Sequence, residues 1–257
     1  MSSTEASGSG DIARSLELLW GTGSRPSRGP KPALTLDRIV TAAVALADAE
    51  GIAAVSMRRL STELGTGTMS LYRYVPGKAE LLDLMLDRVQ GEPLETAAAA
   101  EREAAGQDWR AAVDSMAREQ LALIRRHPWL LGINRARTVL GPSALRGLEA
   151  AVGPLSAMGL SDPEMISVIL TVESFVTGTA RREFEAAEAV RETGLSDESF
   201  WGSQEPYLVR AMESGEFPLL AALSPDTFDA EFDHFEFGLA RLIAGFESLV
   251  TERRAGK

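Results

Sequence analysis

Cysteine is absent from the 257 residues, and histidine occurs only as His127 and His234. A disulfide framework, a thiolate metal site and an ordinary zinc site are therefore excluded, and both histidines read as plain surface or core side chains. No metal and no cofactor is expected. No run of 18 apolar residues occurs, and the first 20 residues lack a basic stretch followed by an apolar one. The expectation is a cytoplasmic protein without a membrane partner. Signatures of catalysis are missing as well: there is no G-x-S-x-G elbow, phosphate loop, dinucleotide fingerprint or HExxH. Glu183 and Glu185 are close in sequence but diverge on a helix. The chain is not expected to be an enzyme. Strand-like alternation is also lacking. What is present, 45% hydrophobic and 25% charged residues, suffices for a sizeable core and excludes disorder throughout and collagen-like structure.

Net charge is −11, which argues against nucleic acid as a partner until its distribution is considered. Residues 25–78 hold eight cations, Arg25, Arg28, Lys31, Arg38, Arg58, Arg59, Arg73 and Lys78, against the four carboxylates Asp37, Asp48, Glu50 and Glu63. An anion-binding end attached to an acidic body follows from that asymmetry.

Residues 1–10 are rich in Ser and Gly and are expected to be disordered. Ile12, Leu16, Leu19 and Trp20 share a helical face, which suggests a short docked helix. The stretch GTGSRPSRGPKP, residues 21–32, with three prolines and three glycines, reads as a flexible basic arm. Thr35 is an N-cap for a helix over 36–50 that Gly51 stops. Ser56 caps a second short helix that ends at Gly65; a third runs over 68–75 and a fourth over 78–90, with Leu81, Leu82, Met85 and Val89 inward. Helical periodicity continues over 108–126, 129–138, 142–158, 162–192, 197–214 and 227–253. The fold class is all-α: an N-terminal extension (1–34), a first domain of short helices (35–90) and a larger helical domain (91–257).

Two short helices joined by a glycine turn over 56–75 satisfy the helix-turn-helix template, whose second helix enters the major groove. Leu71 and Val75, at i and i+4, anchor the second helix. Thr68, Met69, Ser70, Tyr72, Arg73 and Tyr74 are thereby turned elsewhere. Hydroxyls bond phosphate, Arg pairs guanine or phosphate, and methyl groups touch thymine.

At this point the stretch from Leu36 to Val89 closely resembles the DNA-binding domain of the tetracycline-repressor (TetR) family. The marks are the AEG that ends the first helix, SMRRLSTELG in the second, and LYRYVPGKAELL across the third and fourth. LELLWG and the RGPKP arm look like the extended N-termini of some actinobacterial members. The resemblance implies base or phosphate contact by Arg58 and phosphate contact by Tyr72 and Lys78; Ser70 stands where a small hydroxyl is common. Thr68, Met69, Arg73 and Tyr74 depart from the tetracycline repressor, so its operator is not inherited. Arg25, Arg28 and Lys31 either enter the minor groove or form a solubilising tail.

Phe228, Phe232, Phe235, Leu239, Leu242, Phe246 and Leu249 repeat at spacings of four and three, so the last helix packs along its length. The family resemblance assigns it, with residues 162–190, to a homodimer interface carried by Phe232, Phe235, Leu239, Leu242 and Phe246; a purely internal helix is the alternative. Met116, Trp129, Phe175 and Trp201 are candidates for lining an apolar effector pocket. The family reading is a repressor that binds a palindromic double-stranded DNA operator as a homodimer and is released by a small-molecule effector. Alternatives are a regulator that senses nothing and an enzyme of unrecognised type.

Overall fold

The computed structural model describes residues 5–21, 34–95, 108–224, 227 and 232–255. The expected basic arm with Arg25, Arg28 and Lys31, and Phe228 of the apolar repeat, lie outside the described residues. Among the described residues, eleven helices of at least one turn follow one short strand: β1 (Glu5–Ala6), α1 (Ile12–Trp20), α2 (Leu36–Glu50), α3 (Met57–Glu63), α4 (Thr68–Tyr72), α5 (Lys78–Gly91) and α6 (Trp109–Arg126). After β2 (Ile133–Asn134) come α7 (Pro142–Leu155), α8 (Asp162–Thr193), α9 (Asp197–Glu213), α10 (Pro218–Ala221) and α11 (His234–Ala255).

The expected caps form. Thr35 Oγ1 accepts from the Arg38 N–H at 3.1 Å and Ser56 Oγ from the Arg59 N–H at 3.1 Å, satisfying amides that have no partner inside a helix. Ile39, Val40, Ala43 and Ala47 then bury one face of α2 against α5. The fourth helix departs from a simple amphipathic stripe. Residues 80–87 of α5 are buried without a break, because α2 covers one side while α1 and α7 cover the other. Leu81, Leu82, Met85 and Leu86 fill that centre at 2% exposure or less.

Polar residues on α5 are buried with it. Glu80, Asp83 and Asp87 sit at i, i+3 and i+7, one stripe of the helix. Asp83 accepts from the Ser7 hydroxyl at 2.7 Å, the Gly8 N–H at 3.0 Å and the Ser15 hydroxyl at 2.8 Å. Glu80 accepts from the Asp11 N–H at 2.8 Å, and Asp87 accepts from the N–H groups of Ser143 and Ala144, each at 3.0 Å, which caps α7. The glycines make this closeness feasible. A Cβ at Gly10 would stand 2.3 Å from Glu80 Oε1, and one at Gly141 2.3 Å from Asp87 Oδ1.

Five sequence expectations are corrected here. Residues 5–10 are ordered, not disordered: the Ser and Gly composition that suggested disorder supplies the hydroxyls and close approach that α5 requires. Their strand β1 pairs in parallel with β2, a two-residue ladder in a chain expected to contain none. The helix expected over 129–138 is instead a 3-10 turn over Pro128–Gly132 followed by β2. Trp129 explains the change, since its indole N–H donates to Asp48 at 2.7 Å and draws the segment onto α2. The face of α1 that docks carries Ser15, Leu18 and Leu19, whereas Ile12, Leu16 and Trp20 are exposed. The last helix starts at His234 rather than 227, where the Asp233 carboxylate accepts from the Glu236 N–H at 2.8 Å.

His127 is a core histidine at the end of α6. Its Nδ1 lies 2.6 Å from Asp48 of α2 and its Nε2 3.1 Å from Glu92 just beyond α5, so three elements meet on one ring. At the far end α8 opens on a tight cap. Glu164 accepts from the Ser161 N–H at 2.9 Å and the Ser161 hydroxyl at 2.7 Å and pairs with Arg253 of α11. These bonds, the backbone one foremost, lower the carboxyl from 4.5 to about 2. A depressed folded value stabilises the protein above the unfolded value, and that stabilisation is lost as pH falls through the folded one. Glu164→Gln is therefore expected to flatten the loss of stability between pH 4.5 and about 2, read from urea midpoints against pH. Parallel acid limbs in variant and wild type would refute this.

Candidate nucleic-acid interface

Helices α3 and α4 meet through Gly65, whose φ of +62° is left-handed, a conformation that costs glycine little and other residues more. The Thr66 N–H donates to the Ser61 carbonyl at 2.9 Å and Thr68 Oγ1 bonds Ser61 Oγ at 3.1 Å, tying the second helix to the first. Leu71 and Val75 are fully buried. α4 is thus a short rod fixed from below, five residues long rather than the eight expected, with Tyr74 and Val75 closing its last turn onto the Leu71 carbonyl.

Its outer surface carries Met69, 77% exposed, Tyr72, 43% exposed, and Arg73. Ser70 is half-buried beside them. Two residues expected to be turned outward are not free: Thr68 is held by Ser61, and Tyr74 packs half-buried on the core. Arg58 is exposed on α3, and among the described residues neither it nor Arg73 has an ion-pair partner. Arg59 is engaged instead, 2.7 Å from Glu50 and 3.1 Å from Glu63, and Glu50 above all raises its pKa. Two unpaired guanidinium groups, a phenol and a thioether on one convex edge suit phosphate oxygens and base edges. Lys78, which opens α5, is placed differently from the open cation expected. Its ammonium lies 2.8 Å from Glu5 Oε1 and donates to the Ile52 carbonyl at 3.2 Å.

A cleft of about 550 Å³ opens in the body between α6, α7, α8 and the end of α5. Leu94, Met116, Leu123, Leu148, Leu155 and Ile169 line it, with Arg135, Thr138 and Leu140 from the loop after β2. Most of its polar side chains have partners in the chain: Arg135 pairs with Glu173 at 3.1 Å, and Thr138 bonds the Arg135 carbonyl at 3.1 Å. Gln90 is different. Its Oε1 is buried without a hydrogen-bond partner among the described residues, which is costly unless something else supplies a donor. Of the four expected pocket residues only Met116 lines the cleft. Trp129 is buried against Asp48, Phe175 stacks on Phe235 at 5.7 Å over Gly238, and Trp201 is 59% exposed on α9. Sequence reasoning missed Gln90 because an isolated glutamine at a helix end carries no periodic or motif signal.

Among the expected interface residues, Leu239 is 1% exposed and belongs to the internal core, because Gly238 lets α11 close onto α8. Phe235, Leu242 and Phe246 are half-buried, and Phe232 precedes α11 and is exposed. The outward face of α11 carries Phe237, Ala240, Arg241 and Ala244, and that of α8 carries Ser167, Thr171, Ser174 and Gly178.

Comparison with known proteins adds the family. Residues 39–85 match the model of the bacterial regulatory proteins of the tetR family, and residues 102–250 match the tetracyclin repressor-like C-terminal domain. The HTH-type transcriptional repressor DrrR1 of Streptomyces coeruleorubidus is 59% identical over 98% of this chain and 92% of its own. An HTH-type transcriptional regulator of Saccharopolyspora erythraea is 32% identical over 88% of this chain and 90% of its own. ActR of Streptomyces coelicolor, solved in complex with actinorhodin, is 32% identical with a TM-score of 0.64, over 86% of this chain and 99% of its own. With both halves matched and a helix-turn-helix whose outer face bears exposed arginines, the chain belongs to the TetR family of DNA-binding transcriptional repressors.

Proposed function

We infer that this repressor acts in the cytoplasm as a homodimer on a palindromic operator and is released when a small molecule fills the cleft of the body. Among the described residues no single helix is long and apolar enough to cross a membrane, in keeping with that location. The observation that carries the reading is the continuity of α5: Lys78 at its start follows the helix-turn-helix in the chain and Gln90 at its end faces the cleft. A ligand that shifts one end of this buried rod shifts the other, and DNA and ligand then oppose each other by the same factor. ActR was solved with actinorhodin, so a bulky, largely apolar molecule with polar substituents is the proposed effector class. One of those substituents donates a hydrogen bond to Gln90 Oε1.

The small side chains on the outward face of α8 and the exposed Phe237, Ala240 and Ala244 of α11 support a two-fold dimer in which these helices pair with their copies, placing two α4 rods on one side of the duplex. That moves the proposed contact from Leu239 to Phe237, Ala240 and Ala244, with Phe232 at its edge. Arg58, Ser70, Tyr72, Arg73 and Lys78 form the proposed DNA surface with Met69, while Thr68 and Tyr74 brace it.

The reading is tested by selecting bound duplexes from random DNA and then competing them with actinorhodin. Tyr72→Phe is expected to weaken every selected duplex alike, whereas Arg73→Ala relaxes preference at one base position and costs about 1–3 kcal/mol there; uniform loss with Arg73→Ala would reduce it to a phosphate contact. Gln90→Leu should lower actinorhodin affinity about tenfold without altering operator affinity in its absence. Actinorhodin binding equally well to the variant, followed by calorimetry, would remove Gln90 from the site. Ala244→Glu should give a monomer by size-exclusion chromatography with unchanged helical content and much weaker operator binding. A variant that remains dimeric would move the interface elsewhere.

A further inference from the structure

The N-terminal segment is absent from the helix-turn-helix argument, yet it touches both of the sites described. Starting from β1, Glu5 reaches the ammonium of Lys78 at 2.8 Å, and the two side chains are only 33% and 29% exposed. Ser7, Gly8, Asp11 and Ser15 are fastened to Asp83 and Glu80 of α5. The same few residues also grip the loop that walls the cleft. The Ser7 N–H donates to the Asn134 carbonyl at 3.2 Å, the Val139 N–H donates to Ser7 Oγ at 3.3 Å, and the Trp20 indole donates to the Leu140 carbonyl at 3.3 Å. Ser7 therefore bonds α5 and the cleft loop at once.

We propose that residues 5–20 form a strap that withholds Lys78 from DNA and carries that restraint to the wall of the cleft. The proposal rests on the reading of Lys78 as a phosphate contact. Glu5 occupies the ammonium that a phosphate oxygen would take, so DNA must displace a carboxylate before Lys78 contributes. Displacing Glu5 pulls on β1, and β1 is paired with β2, one residue before the cleft-lining Arg135. Glu5 is thus a positioning residue that acts through Lys78 and lowers operator affinity in the resting protein. By reciprocity, operator binding loosens the strap's hold on residues 133–140.

The sign of the effect separates this role from a merely structural one. In the full-length protein, Glu5→Gln is expected to tighten binding to a selected duplex about two- to fivefold, since partly exposed ion pairs are weak. It should also steepen the salt dependence by about one, because one displaced carboxylate no longer recaptures a counterion. In a Lys78→Gln background the same substitution should change nothing. Gly10→Val, which drives a side chain into Glu80 and undocks the strap without touching Lys78, should tighten binding as Glu5→Gln does. Amide exchange at Ser7, Gly8 and Val139 in the wild type should be faster in the operator complex than in the free protein.

Weaker or unchanged binding by Glu5→Gln, or tightening that persists without Lys78, overturns the withholding of Lys78. Unchanged exchange at Val139 overturns its transmission to the cleft. Failure of the wild type to bind any duplex is a separate result, which removes the regulator reading itself and the strap's role with it.

Discussion

Buried carboxylates on α5 are the constraint around which this protein is arranged. An ionised carboxylate removed from water costs several kcal/mol unless donors replace the lost hydration. Glu80, Asp83 and Asp87 find those donors on two segments far away in sequence, the first 15 residues and the start of α7. Each bond is also directional, so the stripe fixes where those segments lie in a way apolar contact alone does not. The N-terminal strap and the cleft-lining helix α7 are consequently registered on the same helix that follows the helix-turn-helix. Ionic contacts among the other helices are mostly exposed, as with Arg125 and Glu183 or Arg118 and Glu236, and contribute less.

What the sequence makes legible is the part whose signals are local. Thr35 and Ser56 as caps, Gly65 as the stop of the second short helix, and Leu71 with Val75 as anchors are each decided within a few residues, and each forms as expected. The strap is decided at a distance. SGSGD resembles a solvated tail until Asp83 and Glu80 are brought against it, and nothing within residues 1–10 announces that meeting. The same holds for Trp129 and Phe175, large rings that a pocket or a core uses equally well. Asp48 takes the first and Phe235 the second, leaving Met116, a flexible side chain, at the cleft. The apolar repeat of the last helix was legible as packing but not as partner, because periodicity says which face is apolar and not what covers it. Gly238 decides that question for Leu239, since without a side chain there α11 comes close enough to α8 to bury it internally.

Charge is organised on the same principle of separated tasks. Among the described residues, Arg58 and Arg73 on the exposed edge of α3 and α4 have no ion-pair partner, while the equally cationic Arg59 is neutralised by Glu50 and Glu63 and serves the headpiece itself. Residues 25–78 carry more cations than carboxylates although the whole chain stands at −11, so the remainder of the molecule is the part that repels a polyanion. Adjacent cations in the sequence are therefore not equivalent, and the difference lies in which of them an acidic neighbour reaches.

Under the proposed function, the coupling of cleft to operator needs no long chain of intermediates. α5 is continuous from Lys78 to Gln90 and is packed on every side through residues 80–87, so it moves as a unit or not at all. Its neighbours divide the consequences. α2 is joined to the body through His127, with Asp48 on one ring nitrogen and Glu92 on the other, which places a second tie between headpiece and body at the cleft end of α5. Two ties, the strap at one end and this histidine at the other, resist rotation of the headpiece where a single tie would act as a pivot. A ligand whose donor satisfies Gln90 acts on the only part of this framework that is both polar and unpaired among the described residues of the cleft wall on α5. The energy available for switching is then the part of the ligand's contacts, with the Gln90 amide oxygen and the apolar wall, that differs between the two states of the headpiece.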